Sequence, residues 1–344
     1  MQTPSHAELY QATSAFQQSS VLVAAAELDC WTVILEHGNL LAAGALAEKI
    51  KADPRGTAAL LDALAALGFL SKKGAGDSAG YCVPDRFMPY LDSRHPDTFI
   101  PMLRHMGCVQ RSWTQLAWAV KDGKPPVRPP SILGEEQDDV SFIMAMNSVA
   151  RTLVDDVTRS LRQAGVFDFP KEDIRFLDIG GASGTYTLAF LQAMPRSTAT
   201  IFDRPVGIAE AGNRFQGSEY ESRVRLEAGD FYVDALPQGF DFAWISAIIH
   251  QHGRDESRSL YRNALQALVP GGKVAVRDFI MSPDRTSPRA GALFGINMLV
   301  NTGTGMVYTY DEVKEDLESA GFIDVVYAVP ADTMAAVVVA RKRP

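Results

Sequence analysis

From about residue 172 onward, short apolar runs alternate with stretches in which apolar residues recur every three or four positions. The strand candidates "IRFLDIG", "TATIFD", "VRLEAGD", "FDFAWISAII" and "GKVAVRDFIM" are mostly near-continuous apolar runs, and helical periodicity fills most gaps between them. Such runs predict parallel strands covered on both faces, because strands buried on both sides lack the polar alternation of half-exposed ones. Two more runs, "DVVYAVP" and "MAAVVVARK", follow the helix-patterned "YDEVKEDLESAGF". The short "ADT" connection leaves no room for a crossover, so these two form a hairpin and the last strand runs antiparallel. Five parallel strands with a terminal hairpin differ from an all-parallel dinucleotide-binding sheet.

Residues 1 to about 120 read as helix-rich. "SVLVAAAELDCWTVILEHG" has helical spacing and ends at a glycine, and two short amphipathic helices flank "ADPRG". "FLSKKGAGDSAGYCVPD" predicts a two-stranded wing with a glycine-rich tip. Helix, helix and wing make the winged-helix pattern, which often binds DNA. Here the helix in the recognition position, about 56 to 67, is almost all Ala and Leu with Arg55 at its edge, so a dimerisation module is expected instead. "VKDGKPPVRPPSILGEEQDD", about 120 to 139, predicts a loop. The amphipathic "VSFIMAMNSVARTLVDDVTRSLRQAG" then predicts one long helix ending at Gly165. Its Phe142, Met144 and Met146 suit either core packing or ligand contact.

Composition narrows the class. The 344 residues suffice for two domains, and a net charge of −8 argues against unspecific nucleic-acid binding, which needs a dense basic face. Cys30, Cys82 and Cys108 lie far apart without CxxC spacing, which suits free buried thiols in a reducing compartment. The first residues lack the charged-then-apolar order of a signal peptide, and no apolar window reaches the roughly eighteen residues of a membrane span. A cytoplasmic protein without membrane contact is expected.

The candidate chemistry sits where strands end. "FLDIGGASG" puts Asp178, Gly180, Gly181 and Gly184 between the first strand and a helix, a turn that lets a ligand approach the backbone. Asp203 ends the second strand, where a carboxylate accepts hydrogen bonds from both hydroxyls of a ribose. Asp230 follows the third strand with Phe231 beside it, suited to the edge and face of an adenine. Ligands of open α/β sheets bind at the carboxyl ends of strands, so the three elements together predict a nucleoside site. "SAIIHQHGRDE" adds His250 and His252, open to readings as metal pair, acid–base device or structural residues. Zinc needs further ligands and nothing nearby supplies them, so no metal is expected. Asp255 and Glu256 suit the first turn of the next helix.

The ordered motifs "LDIGGASG", "FDRPVGI", "AGDFY", "IIHQHGRDE", "LVPGGKVAVRDFIM" and "MLVNTGTGMVYTYDEVKEDLESAGF" resemble those of S-adenosylmethionine-dependent O-methyltransferases. The subfamily is the dimeric one with the plant caffeic acid and hydroxyindole enzymes and bacterial polyketide O-methyltransferases. The resemblance runs from about residue 20 to the end. It implies an α/β fold: a class I methyltransferase, Rossmann-like seven-stranded sheet with an α-helical, winged-helix-like N-terminal dimerisation domain. The expected division is 1–120 for dimerisation, 121–171 for linker and connecting helix, and 172–344 for catalysis. A homodimer acting on a small molecule follows.

By the same resemblance, Gly180 and Gly184 shape the site around the methionine part of the cofactor, and Asp178 and Gly181 of the same turn are cofactor-binding residues. Asp203 and Arg204 meet the ribose, Asp230 and Phe231 the adenine, and Ser246 contacts the cofactor from the fourth strand. His250 takes the general-base position and Asp278 orients it. The acceptor is expected against Met146, Phe294, Asn297, Met298 and Met306, with Trp113 and Trp118 near the same cavity or a dimer interface. Arg104, His105 and Arg111 suit either an acidic acceptor or a solvated helix face. Three departures stand out: Ala182 replaces a glycine, His252 a tryptophan, and Val307 the second acid beside the base. A hydroxyl acceptor is the primary expectation. Sulfur, nitrogen or carbon as acceptor, or a non-enzymatic cofactor-sensing protein, are the alternatives.

Overall fold

The computed structural model describes residues 5–76 and 79–344; Asp77 and Ser78, in the tip of the expected wing, lie outside the described residues. The chain divides into two compact units: residues up to Thr114 with Val127–Ser148, and Gln115–Pro126 with Val149–Pro344. The region expected as linker is shared between them. Among the described residues, no single helix is long and apolar enough to cross a membrane.

The first unit is built on Trp31, Ile34, Leu46, Leu61, Leu64 and Ile100, all fully buried. It opens with a helix, His6–Ser14, that apolar periodicity does not announce; a Ser5–Glu8 capping box starts it. The single helix expected over "SVLVAAAELDCWTVILEHG" is two, Phe16–Glu27 and Cys30–Glu36. Asp29 between them adopts a left-handed φ of 52°, and its carboxylate accepts from Thr32 and Ser93 at 2.7 and 3.2 Å. The long-range partner Ser93 helps hold a break that local pattern does not show. The helix Pro54–Ala66 starts at an Asp53 cap and buries Thr57, Leu61 and Leu64. The wing strands Ser71–Lys73 and Gly80–Cys82 pair antiparallel, and Leu41–Ala42 adds a third strand.

The loop expected to reach residue 139 stops earlier. Helix α1, Glu135–Gln163, begins with Glu135, Glu136 and Asp138 in its first turn, where acids complement exposed N–H groups. Asp138 also accepts from the Ser131 N–H at 2.9 Å and pairs with Arg111 at 3.4 Å. Arg111 pairs with Glu27 as well, Arg104 donates to the Ala26 carbonyl, and the His105 ring meets Phe142, so these three residues have internal partners.

The second unit holds a seven-stranded sheet: β1 Arg175–Ile179, β2 Thr198–Asp203, β3 Val224–Ala228, β4 Phe240–Ser246, β5 Leu268–Asp278, β6 Ile323–Val329 and β7 Ala336–Arg341. Their order is β6-β7-β5-β4-β1-β2-β3, with β7 antiparallel to both neighbours. One apolar cluster fills each side of the sheet, one including Ile179, Ile245 and Val276, the other Phe176, Phe242 and Trp244. The unit also holds helices α2 Thr185–Ala193, α3 Pro205–Phe215, α4 Arg254–Ala267, α5 Arg289–Asn301 and α6 Tyr310–Ala320. The run "GKVAVRDFIM" is not one strand: it breaks at Phe279, and Ile280–Met281 pairs in parallel with Tyr308–Thr309. Strand order reverses direction at β1, so a crevice opens where β1 and β4 end.

Candidate active site

The turn after β1 is shaped for close approach. Gly180 has φ 69°, and a Cβ there would lie 2.6 Å from Ile248 Cδ1 and 3.4 Å from the Phe231 ring. Ala182 takes φ 46°, in the left-handed region that a glycine adopts without strain. Its N–H donates to Asp203 Oδ2 at 2.7 Å, while Oδ1 accepts from the Arg204 N–H at 2.6 Å. Asp203 thus ties the β1 turn to the end of β2. Burial raises its pKa, against the pull of those two N–H groups.

Asp178 lies beneath this turn rather than on its rim. It is 2% exposed, accepts from Thr187 Oγ1 at 2.6 Å and sits under Gly181, where a Cβ would come within 2.6 Å of its carboxyl carbon. Burial, aided by the charge of Asp203 and opposed by Thr187, pushes its pKa up to about 7. A carboxyl raised in the folded state stabilises most below its unfolded value, and that contribution is lost as pH rises through the folded value. Urea denaturation between pH 5 and 7 should therefore show wild type losing on the order of 2 kcal/mol relative to Asp178→Asn. Parallel stability curves for the two proteins would refute the buried-acid account.

Past β3, Asp230 Oδ1 accepts from the Tyr232 N–H at 2.9 Å, and Asn263 donates to the Phe231 carbonyl at 3.2 Å. These bonds hold Phe231 beside the glycine turn. Ser246, at the end of β4, accepts from Arg277 Nη1 at 3.2 Å. The one sequence signal for Arg277 is a charge that directly follows the apolar "VAV" and precedes Asp278.

His250 lies in a short turn, Ile249–Gln251, after β4 and is buried. Its Nδ1 stands 2.8 and 2.9 Å from the two carboxylate oxygens of Asp278, which is 1% exposed and also accepts from the Phe279 N–H. A carboxylate only accepts, so Nδ1 carries a proton, and in the neutral ring the lone pair is then on Nε2. The Phe294 ring meets the imidazole edge-on at 4.8 Å. Val307 is buried and close to the next residue, Gly295, whose Cβ would lie 3.2 Å from Val307 Cγ2. The expected second acid is thus replaced by a buried valine.

The other expected residues scatter. His252 packs its ring 4.3 Å from Tyr232, and burial lowers its pKa. Asn297 accepts from Asn301 at 3.0 Å, Met298 is buried, and Met306 is exposed. Met146 is exposed on the part of α1 that belongs to the first unit, and Trp118 is exposed on Leu116–Asp122 of the second. Asp255 and Glu256 do begin α4. Among the described residues, no group of three His, Cys, Asp or Glu could hold a metal ion.

A seven-stranded sheet with an antiparallel last strand, a glycine turn after β1 and acids beyond β2 and β3 define the methyltransferase class of α/β protein. Residues 113–323 match the O-methyltransferase domain and residues 10–83 the O-methyltransferase dimerisation domain. The chain belongs to the O-methyltransferase family. The tetracenomycin polyketide synthesis 8-O-methyl transferase TcmO of Streptomyces glaucescens is 32% identical to it, over 92% of this chain and 91% of that protein. Acetylserotonin O-methyltransferase of Macaca mulatta is 28% identical, over 92% of each chain. The crystal structure of human N-acetylserotonin methyltransferase in complex with S-adenosylmethionine matches with a TM-score of 0.79 at 26% identity, covering 100% of both chains.

Proposed function

We propose that the chain, as a homodimer, transfers a methyl group from S-adenosylmethionine to a hydroxyl of a small molecule, with His250 as general base. The residues present fit that cofactor: the glycine turn of β1 lies between the ends of β4 and β2, Asp203 and Asp230 offer acceptors for ribose and adenine, and Phe231 a ring face. When bound, it supplies a methyl carbon activated by the adjacent sulfonium.

The observation that carries the proposal is the His250–Asp278 pair. With Nδ1–H held by both carboxylate oxygens, the imidazole presents Nε2 as acceptor to a hydroxyl and removes its proton as the new C–O bond forms. Asp278 is a positioning residue that also offsets the charge gained by the ring. Phe294 walls one side of the imidazole and excludes water.

The test is a pH–rate profile with labelled cofactor and a panel of phenols. A neutral-imidazole base predicts kcat/KM rising through the histidine range to a plateau. A flat profile from pH 5 to 8 in active enzyme would sink the base assignment. It would favour instead an acceptor that loses no proton, such as a thioether, for which the apolar Val307 gives the motive.

A further inference from the structure

Consecutive residues of a strand face opposite sides of a sheet. On β5, Asp278 turns to His250, and Arg277 turns to the face covered by α2. Arg277 is 3% exposed. Its Nη1 donates to Ser246 Oγ at 3.2 Å, its guanidinium lies 5.0 Å from the Tyr186 ring centre, and its Nε has no acceptor. It forms no ion pair among the described residues. The Tyr186 hydroxyl and Trp244 Nε1, on rings 5.3 Å apart, also lack hydrogen-bond partners. A buried cation with two orphan polar groups beside it costs several kcal/mol unless something anionic joins it.

Strand order says what that anion is. The ribose and adenine acids stand beyond β2 and β3, on one side of the β1 turn. On the other side, Ser246 of β4 and Arg277 of β5 are register partners. Ser246 is two strand spacings from β2, roughly 10 Å, within the span of a nucleoside with an amino-acid tail. A ligand anchored at Asp203 and crossing the glycine turn brings its tail to Ser246. Arg277 and Asp278 then serve opposite ends of one transfer.

We propose that Arg277 is the counter-charge for the α-carboxylate of the cofactor, with Ser246 and Tyr186 completing its setting. This rests on the S-adenosylmethionine reading above but not on His250 as base. The experiment is calorimetric titration of the full chain, without acceptor, by S-adenosylmethionine and by its decarboxylated analogue. Wild type should bind the intact cofactor at least about 10-fold more tightly, and Arg277→Met should bring the two within about threefold of each other. If Arg277→Met does not fold, Arg277→Gln, which keeps donors but removes the charge, takes its place. Wild-type affinities within threefold of each other, or a ratio unchanged in the variant, overturn the inference alone. Binding of neither ligand overturns the cofactor reading and this inference with it.

Discussion

His250→Ala lowers kcat by about 10²- to 10⁴-fold, while S-adenosylmethionine binds within about threefold of wild type. The split follows from where the side chain points. Nδ1 is committed to Asp278, and the backbone of the turn is held separately, by the bond from the Gln251 N–H to Ile248 at 2.9 Å. Removing the imidazole deletes the proton acceptor and leaves the glycine turn, Asp203 and Phe231 untouched. Single-turnover methyl transfer, with binding measured in parallel, reads both quantities. Turnover within a few-fold of wild type would remove His250 from the chemistry. A matched loss of binding would make it structural.

Gly184→Ala is the largest expected stability effect. The residue has φ 71° at the start of α2, and a Cβ would stand 2.5 Å from the Phe215 ring and 2.8 Å from Ile201 Cδ1. The left-handed conformation costs about 1–2 kcal/mol with a side chain, and overpacking adds about 1–3 kcal/mol. Gly217 is the control: its φ is 70°, yet nothing lies within 4 Å of its would-be Cβ. Gly217→Ala should show the conformational cost alone. Thermal or urea denaturation of both variants separates packing from backbone strain; equal losses would mean that the crowding at Gly184 relaxes freely.

What could be read in advance follows from how local each determinant is. The central strands of the sheet announce themselves because burial on both faces leaves long apolar runs, and the short link between the last two, residues 330–335, forces the hairpin. The break at Asp29 does not, because its left-handed backbone is held by Thr32, Ser93 and Arg104. Glu135, Glu136 and Asp138 looked like loop because acids without apolar spacing suggest solvent, yet they suit a helix start. His250 and Asp278 were paired through the order of motifs; that both carboxylate oxygens reach Nδ1 is a property of the folded sheet. Asp178 was read as lining the site, but the turn folds over it. Arg277 is hard to read because, with Asp278 beside it, the pair looks like a strand end meeting solvent, whereas both side chains are buried.

The position of β7 has a consequence for biosynthesis. Ala336 is the register partner of Asp278, and β7 is the neighbour that closes the open side of β5. Those residues are translated after everything else in the sheet. A nascent chain that already holds the glycine turn and His250 still has an unzipped edge beside its key carboxylate. A chain that stops before Ala336 lacks the register partner of Asp278 and leaves one edge of β5 unpaired, a row of open N–H and C=O groups of the kind that invites association with other chains.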